Sequence, residues 1–137
     1  RVIRDNLLGH DHVTTGRQVP FCMFIDPELG RIGLNEQEAK AAGIPYRLAK
    51  LPMKAVLRTR TLSETRGFMK ALIAKDSDEI LGLTVFGESA GEITGAVQIA
   101  MLGKLPYTTL RDPVLIHPTM MEGLIVLFST PLQTPAV

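Results

Sequence analysis

The sequence predicts an α+β domain, with helices packed on one side of an antiparallel β-sheet. Two apolar, β-compatible runs, 67–75 and 79–86, flank the turn-forming tripeptide Asp76-Ser77-Asp78, and this pattern is typical of a β-hairpin. The longest helical pattern follows, with apolar side chains at helical spacing between positions 93 and 101. Because the strands and helices are segregated around one hairpin-rich sheet, we expect the sheet to be antiparallel.

The bulk composition limits the classes of function. A chain of 137 residues is expected to form one domain with a substantial core. Its net charge of +1, with lysines and arginines scattered along the chain, gives no reason to expect a nucleic-acid or membrane partner. The single cysteine excludes an intrachain disulfide. With no signal peptide and no apolar run of about 20 residues, we expect a cytoplasmic location.

The first part of the chain contains a helix end, a loop and a short strand. Residues 1–8 have the pattern of the last turns of a helix that ends at Gly9, and their abrupt beginning suggests a segment cut from something larger. Residues 10–18 are polar and predict a loop. The apolar run 19–25 predicts a strand, and Asp26-Pro27 predicts the turn that follows it.

Before the hairpin, the sequence predicts a capped helix and then another strand. Asn35 and Glu38 have the capping-box spacing, which predicts a helix over Glu36–Ala42. Gly43 suits the left-handed conformation that commonly ends a helix. The alternating stretch Tyr46–Pro52 predicts a strand.

Three connecting segments carry weaker signals. The stretch 55–61 is ambiguous, and the nearby cations favour an exposed connection: Lys54, Arg58 and Arg60. Thr108–Arg111 predicts a short helical turn. The tail 131–137 has two prolines and no periodic pattern, so we expect it to be frayed.

The long helix after the hairpin contains two glycines. Ser89 and Glu92 have the capping-box spacing and predict its start, and Gly103 predicts its end. Gly91 and Gly95 should each weaken it by roughly 1 kcal/mol relative to alanine. Because the helix is amphipathic, close packing of another subunit or of the sheet explains these glycines better than membrane helix pairing.

The most apolar stretch, Val114–Phe128, carries a histidine and a glutamate five positions apart. It predicts an extended approach, a corner at His117-Pro118, and a helix capped by Thr119 with Glu122 at the capping-box position. The proline favours extended geometry in the preceding residue and so holds the His117 ring at the mouth of the helix. Apolar side chains surround nearly the whole helix, which must therefore be buried in a core or against another chain: Met120, Met121, Leu124, Ile125, Leu127 and Phe128.

Four segments, taken in order, resemble the C-terminal interface (dimerisation) domain of the flavin-dependent pyridine nucleotide–disulfide oxidoreductases, which include glutathione reductase, dihydrolipoamide dehydrogenase and mercuric reductase. These segments are 19–28, 33–39, 82–92 and 117–122. The resemblance implies that residues 1–18 are the remnant of an FAD-binding domain and that 19–130 form the interface domain. It also implies FAD and NAD(P) as cofactors of the full-length protein. The chain alone is expected to hold neither cofactor and to be inactive, because the glycine-rich loop and the redox cysteine pair belong to other domains.

The resemblance further implies catalytic roles for His117 and Glu122 across a homodimer. His117 would exchange a proton with a substrate or active-site thiol of the other subunit, and Glu122 would orient and charge-stabilise the imidazole. The backbone around His117 and Pro118 would contact the partner's flavin, and this peptide bond is often cis in the family. Histidine suits the role because an imidazole ordinarily titrates near neutrality. Glu122 could also cap the helix, with one oxygen on the Thr119 amide and the other on a partner's histidine.

Other interpretations of these residues stay open. From spacing alone, His117 is more often a structural histidine and Glu122 a capping residue. The chain could be a stand-alone dimeric α+β binding module without redox chemistry, or a small hydrolase with a His117–Glu122 dyad, although no nucleophile elbow accompanies that pair. Cys22 is expected to be an inert buried thiol. His10 and His12 lack a nearby third ligand, so the sequence predicts a solvated loop there and no metal site.

Overall fold

In the computed structural model, which describes residues 2–134, five strands form one antiparallel sheet. The strands are β1 (Phe21–Met23), β2 (Leu29–Gly33), β3 (Tyr46–Pro52), β4 (Phe68–Ala74) and β5 (Ile80–Phe86). Their order across the sheet is β1-β2-β5-β4-β3, and every neighbouring pair is antiparallel. The α-helices of the described residues are α1 (Val2–Leu7), α2 (Glu36–Ala41), α3 (Leu57–Thr61), α4 (Ala90–Leu102), α5 (Thr108–Arg111) and α6 (Glu122–Ser129), and a short 3₁₀ helix covers Met53–Ala55. The predicted α+β class and antiparallel sheet are confirmed.

Two apolar clusters hold helices against the two faces of the sheet. On one face, alternate side chains of β3 and β4 pack with buried residues of α4 and α6: Ala49, Leu51, Ala71, Ile73, Ile93, Val97, Leu124 and Phe128. On the other face, Ala39 of α2 packs on Leu48 and Leu72. Because neighbouring residues of a strand point to opposite faces, α2 lies across the sheet from α4 and α6. The sheet is therefore covered on both faces rather than on the single side that the sequence suggested.

The capping box of α2 forms as predicted. The Asn35 side chain accepts a hydrogen bond from the Glu38 backbone N–H at 2.8 Å, and the Glu38 carboxylate accepts one from the Asn35 N–H at 3.0 Å. Gly43 has φ +65°, the left-handed conformation expected after this helix. These contacts span only a few residues, so local sequence was sufficient to predict them.

The capping box predicted for α4 is wrong. Ser89 has φ +59° and makes no capping hydrogen bond, and its hydroxyl instead donates to the Glu88 carboxylate at 3.2 Å. The Glu28 carboxylate, distant in sequence, accepts a hydrogen bond from the Gly91 N–H at 3.2 Å. A side chain from outside the helix therefore satisfies an amide in its first turn, and local spacing could not reveal it.

Two segments are more ordered than the sequence suggested. The stretch 55–61, predicted as an exposed connection, contains α3, because Thr59 is fully buried and its hydroxyl lies 2.8 Å from the backbone oxygens of Met53 and Val56. Within the tail predicted to be frayed, Gln133 exchanges two backbone hydrogen bonds with Leu48 of β3, of 2.7 and 2.9 Å. Residues 135–137 of that tail lie outside the described residues.

The glycines of α4 do not face a tight contact within the described chain. A Cβ added to Gly95 would meet no atom within 4 Å, and one added to Gly91 would come only to 3.6 Å from the Cys22 sulfur. The close packing predicted at Gly95 therefore has no counterpart among residues 2–134. No helix in the described range has the length and apolar character that crossing a bilayer requires.

Candidate functional site

The site predicted at the start of α6 is assembled within one chain. The Nδ1 atom of His117 lies 2.8 Å from the Glu122 Oε1 atom. The other carboxylate oxygen, Oε2, accepts a hydrogen bond of 2.8 Å from the Thr119 backbone N–H. The carboxylate thus binds both groups at once, as the sequence suggested. The correction is that its histidine partner belongs to the same chain, whereas the sequence suggested a partner's histidine.

A tight turn before α6 sets this geometry. The His117-Pro118 peptide bond is cis, which gives the corner expected at this position. Gly123 and Leu124 donate backbone hydrogen bonds to the carbonyls of Met120 and Met121, each 3.0 Å long, so regular helix begins only at Glu122. The predicted capping box is therefore half formed: Glu122 reaches back to the Thr119 amide, but the buried Thr119 hydroxyl has no hydrogen-bond partner among the described residues.

Buried contacts fix α6 to the sheet. Leu124, Leu127 and Phe128 are at most 2% exposed. The Phe128 ring packs against Tyr107, with the ring centroids 5.5 Å apart. Gly123 is needed for the close approach, since an added Cβ would lie 2.9 Å from Val56 and would also overlap Met69. Sequence analysis missed Gly123 and Tyr107 as positioning residues, because only the folded chain brings their partners close.

The electrostatics of the pair favour an ionised Glu122. The Thr119 backbone hydrogen bond, and after it the hydrogen bond from His117, lower the pKa of the Glu122 carboxyl. An ionised carboxylate only accepts hydrogen bonds, so we assign the imidazole hydrogen to Nδ1 of His117. This leaves Nε2 as the atom that can take or give a proton. The imidazole is 63% exposed and the carboxylate 22%, so the ring can be reached from outside the chain.

Exposed apolar side chains lie near the pair in sequence. Val114 is 100% exposed and Ile116 82%, and both precede His117 in the extended approach. Val126, on the outer side of α6, is also exposed. The helix that the sequence describes as apolar all round is thus buried on one side only. An exposed apolar patch beside a reactive pair is typical of a surface that another chain covers.

The other candidate residues lie apart from this site. Cys22 is half-buried in β1, and burial, with a smaller effect of the nearby Glu28, raises the pKa of its thiol. The His10 and His12 rings are 5.7 Å apart, and the His12 Nε2 atom lies 3.9 Å from the Asp5 carboxylate. Within residues 2–134, no three histidine, cysteine or acidic side chains lie close enough together to hold a metal ion.

Known proteins resemble this chain in both sequence and structure. Residues 19–126 match the family described as pyridine nucleotide-disulphide oxidoreductase, dimerisation domain. The chain is 35% identical over 131 residues to the probable pyridine nucleotide-disulfide oxidoreductase RclA of Escherichia coli, which covers 94% of this chain and 30% of that protein. It is 34% identical over 115 residues to a dihydrolipoamide dehydrogenase of Chaetomium thermophilum, which covers 84% of this chain and 23% of that protein.

A solved structure shows the same fold. The HOCl-induced flavoprotein disulfide reductase RclA from Escherichia coli superimposes with a TM-score of 0.87 at 35% identity, over 94% of this chain and 30% of that one. The chain therefore spans less than a third of the length of the relatives it matches.

Proposed function

This chain belongs to the family of pyridine nucleotide-disulphide oxidoreductase dimerisation domains, and from that premise we propose that it delivers the His117–Glu122 pair to the active site of a second, identical subunit. The observation that carries the proposal is the geometry of the pair. An ionised carboxylate orients an exposed imidazole, and exposed apolar side chains precede it and lie on the helix that follows it. The reaction is the reduction of a disulfide or a related acceptor in the longer protein.

The chemistry asked of His117 is proton transfer. Reducing a disulfide to two thiols consumes two electrons and two protons. FAD, when bound in the longer protein, supplies the electron pair that NAD(P)H provides. In its protonated form His117 donates the Nε2 proton to a leaving thiolate, and in the reverse direction the neutral ring takes a proton from a thiol. The ionised Glu122 carboxylate stabilises the imidazolium through Nδ1.

The fold explains why the reacting thiol must come from outside this chain. Cys22, the only cysteine in the sequence, lies in β1 at one edge of the sheet, whereas α6 packs against β3 and β4 at the other edge. His117 and Pro118 are exposed, so their backbone can contact a flavin held by another subunit. The residues present therefore fit a chain that contacts a flavin bound by another subunit, rather than one that binds the flavin itself.

The second subunit would cover the apolar side chains beside the pair. Exposed Val114, Ile116 and Val126 provide the surface on which a twin chain would be buried. An obligate interface of this kind typically buries more than about 2,000 Å² in total. We further propose that residues 1–18 belong to the end of an FAD-binding domain, and that the FAD and NAD(P) sites lie in the parts of the longer protein that this chain does not span.

Replacing His117 by alanine in the intact enzyme tests the proposal. We expect disulfide turnover to fall by about 10²–10⁴-fold, because a positioned acid–base group contributes on that order. The bound flavin, followed by its visible absorbance, should remain. His12→Ala is the matched control, since His12 is exposed and lies in the N-terminal loop. Turnover like that of the wild type in His117→Ala would contradict the assigned role.

The runner-up is a stand-alone dimeric α+β binding module without redox chemistry, which the exposed apolar patch also fits. The coding region upstream of Arg1 separates the two proposals. Dinucleotide-binding motifs and a redox cysteine pair there would support the oxidoreductase, and a natural start site just before Arg1 would leave the binding module.

A further inference from the structure

We infer that Val56, which precedes α3, is a positioning residue for the proposed proton transfer, because it supports the first turn of α6 and so sets the reach of Glu122 toward His117. The inference rests on the proposed function and goes beyond it. It assigns a part in the reaction to an aliphatic side chain that cannot itself exchange a proton.

The contact between Val56 and α6 leaves no room for an extra carbon atom. Gly123 directly follows Glu122, and a Cβ added to it would lie 2.9 Å from the Val56 Cγ2 atom. Carbon atoms ordinarily approach only to about 3.5–4.0 Å, so a methyl group here requires a displacement of about 0.6 Å or more. The same Cβ would overlap the end of the Met69 side chain, which is flexible and can turn away. Val56 is therefore the contact that decides how close α6 can lie.

Val56 is itself held in place. It is 1% exposed and belongs to the apolar cluster that α6 shares with the sheet. Its backbone N–H donates to the Met53 carbonyl at 2.9 Å. The fully buried Thr59 has its hydroxyl 2.8 Å from the carbonyl oxygens of both Met53 and Val56. Because these contacts fix Val56, a methyl group at position 123 would displace α6 rather than Val56.

Glu122 has little tolerance for such a displacement. Its two carboxylate oxygens lie 2.8 Å from the His117 Nδ1 atom and 2.8 Å from the Thr119 backbone nitrogen. Hydrogen bonds of this kind extend to about 3.2 Å, so a shift of about 0.6 Å would take one of them beyond that range. Misplacing a catalytic group by about 1 Å can cost about 10²-fold in rate. The contact at Val56 thus acts on the rate through the position of the carboxylate.

The alternative explanation is that Val56 only fills the core. A purely structural valine would affect how much enzyme folds and retains flavin, but not the turnover of each flavin-containing molecule that remains. Turnover per bound flavin therefore separates the two explanations. Compensation between the two sides of the contact separates them further, because independent defects add and do not cancel.

The test measures kcat per bound flavin in the intact enzyme, with lipoamide and with glutathione disulfide as acceptors. We expect Gly123→Ala to lower kcat by about tenfold, which is less than the loss expected for a 1 Å misplacement. The double variant Gly123→Ala, Val56→Ala removes Cγ2 from the contact and should recover kcat to within about threefold of the wild type. Gly95→Ala is the matched control, because it makes the same change in a helix where no atom of the described chain lies within 4 Å of the added Cβ. It should leave kcat unchanged.

A second measurement shows whether the effect passes through the carboxylate. In Glu122→Gln enzyme the charge of the pair is already absent, so adding Gly123→Ala should change kcat by less than about twofold. If Gly123→Ala does not retain flavin, Val56→Ile introduces the extra carbon from the other side of the same contact, and kcat should again fall.

Four results would overturn the inference. Wild-type kcat in the variants that crowd the contact would show that the pair tolerates the shift, and no recovery in the double variant would show that Val56 is not the limiting contact. A further tenfold loss in the Glu122→Gln background would show a defect that does not act through the carboxylate. An equal loss in Gly95→Ala would show that the position of the glycine does not matter. In each of these results a slow Glu122→Gln enzyme leaves the proposed function standing, whereas wild-type turnover in Glu122→Gln, or an intact enzyme that reduces neither disulfide, would remove both proposals.

Discussion

Replacing Glu122 by glutamine keeps the shape of the pair and removes its charge. The amide oxygen can still accept the Thr119 N–H in place of Oε2, where the wild-type distance is 2.8 Å. The NH₂ group then takes the place of Oε1, 2.8 Å from the His117 Nδ1 atom. Because an NH₂ group cannot accept a hydrogen bond, the imidazole must leave Nδ1 bare and carry its hydrogen on Nε2. The variant therefore fixes the wrong tautomer and disfavours the imidazolium.

The expected loss of rate in Glu122→Gln depends on how far His117 and Glu122 are shielded from water. A positioned acid–base group contributes about 10²–10⁴ in rate. The imidazole is 63% exposed, so water can replace part of the hydrogen bonding and charge stabilisation that the carboxylate gives the ring. We therefore expect kcat to fall by about 100-fold, at the low end of that range.

The assay is steady-state oxidation of NAD(P)H by the intact enzyme with a disulfide as acceptor, with visible absorbance reporting bound flavin. Glu79→Gln is the control, because Glu79 is an exposed carboxylate at the hairpin turn. Wild-type kcat in Glu122→Gln with flavin bound would refute the reasoning. A similar loss in Glu79→Gln would also refute it, since the effect would then not depend on the pair.

Four further predictions concern stability and can be measured by urea denaturation. Gly82→Ala should destabilise the chain by about 1–3 kcal/mol, because an added Cβ would overlap a backbone oxygen. Gly95→Ala should stabilise it by about 1 kcal/mol, because no atom lies within 4 Å of the added Cβ. Phe128→Ala should cost about 3–5 kcal/mol, since that ring is 2% exposed. The hydrogen bond from the Asn35 backbone N–H lowers the pKa of the Glu38 carboxyl in the folded chain. The contribution of Glu38 to stability should therefore be complete above the ordinary glutamate pKa of 4.5 and be lost as the pH falls below it.

Each of these stability predictions has an outcome that would contradict it. A loss of stability in Gly95→Ala, measured in the intact protein, would mean that another chain or domain packs on α4 there. A neutral effect of Gly82→Ala would mean that the sheet can shift to admit a methyl group. A loss below about 1 kcal/mol in Phe128→Ala would mean that the core collapses around the missing ring. The free energy of unfolding of Glu38→Gln should depend less on pH than that of the wild type. If both fall equally as the pH is lowered, other carboxylates cause the dependence.

Local patterns predicted those parts of the fold that depend on neighbours in sequence. The strand Tyr46–Pro52 and the turn Thr108–Arg111 have the predicted bounds, and the capping box of Asn35 and Glu38 forms. The hairpin of β4 and β5 also pairs as expected. The contacts of the capping box and of the hairpin are made within a few residues or across a single turn, so they could be found without knowing the tertiary structure. Tyr46–Pro52 was found by its alternating pattern, although its partner β4 follows only after α3.

The parts that failed depend on contacts between distant residues. No strand was predicted at Leu29–Gly33, because two glycines interrupt its pattern, yet it pairs on both sides in the sheet. The α3 segment gains its order from the burial of Thr59. At α4, Glu28 accepts a hydrogen bond from the Gly91 N–H in the first turn, whereas Ser89, the predicted capping residue, makes no capping hydrogen bond. The roles of His117 and Glu122 were predicted from the resemblance of 117–122 to a known family, because their spacing alone favours a structural histidine and a capping glutamate. The packing of Gly123 required the structure.

The hydrogen bond between His117 and Glu122 joins two residues of one polypeptide. Under the proposed function, each subunit would therefore bring a complete His117–Glu122 pair to the dimer, and a mutation in one subunit would leave the pair of the other intact. In a hybrid made by coexpressing the native chain with a His117→Ala version, one of the two reaction centres would stay fully competent, and the hybrid would show half the native rate rather than none.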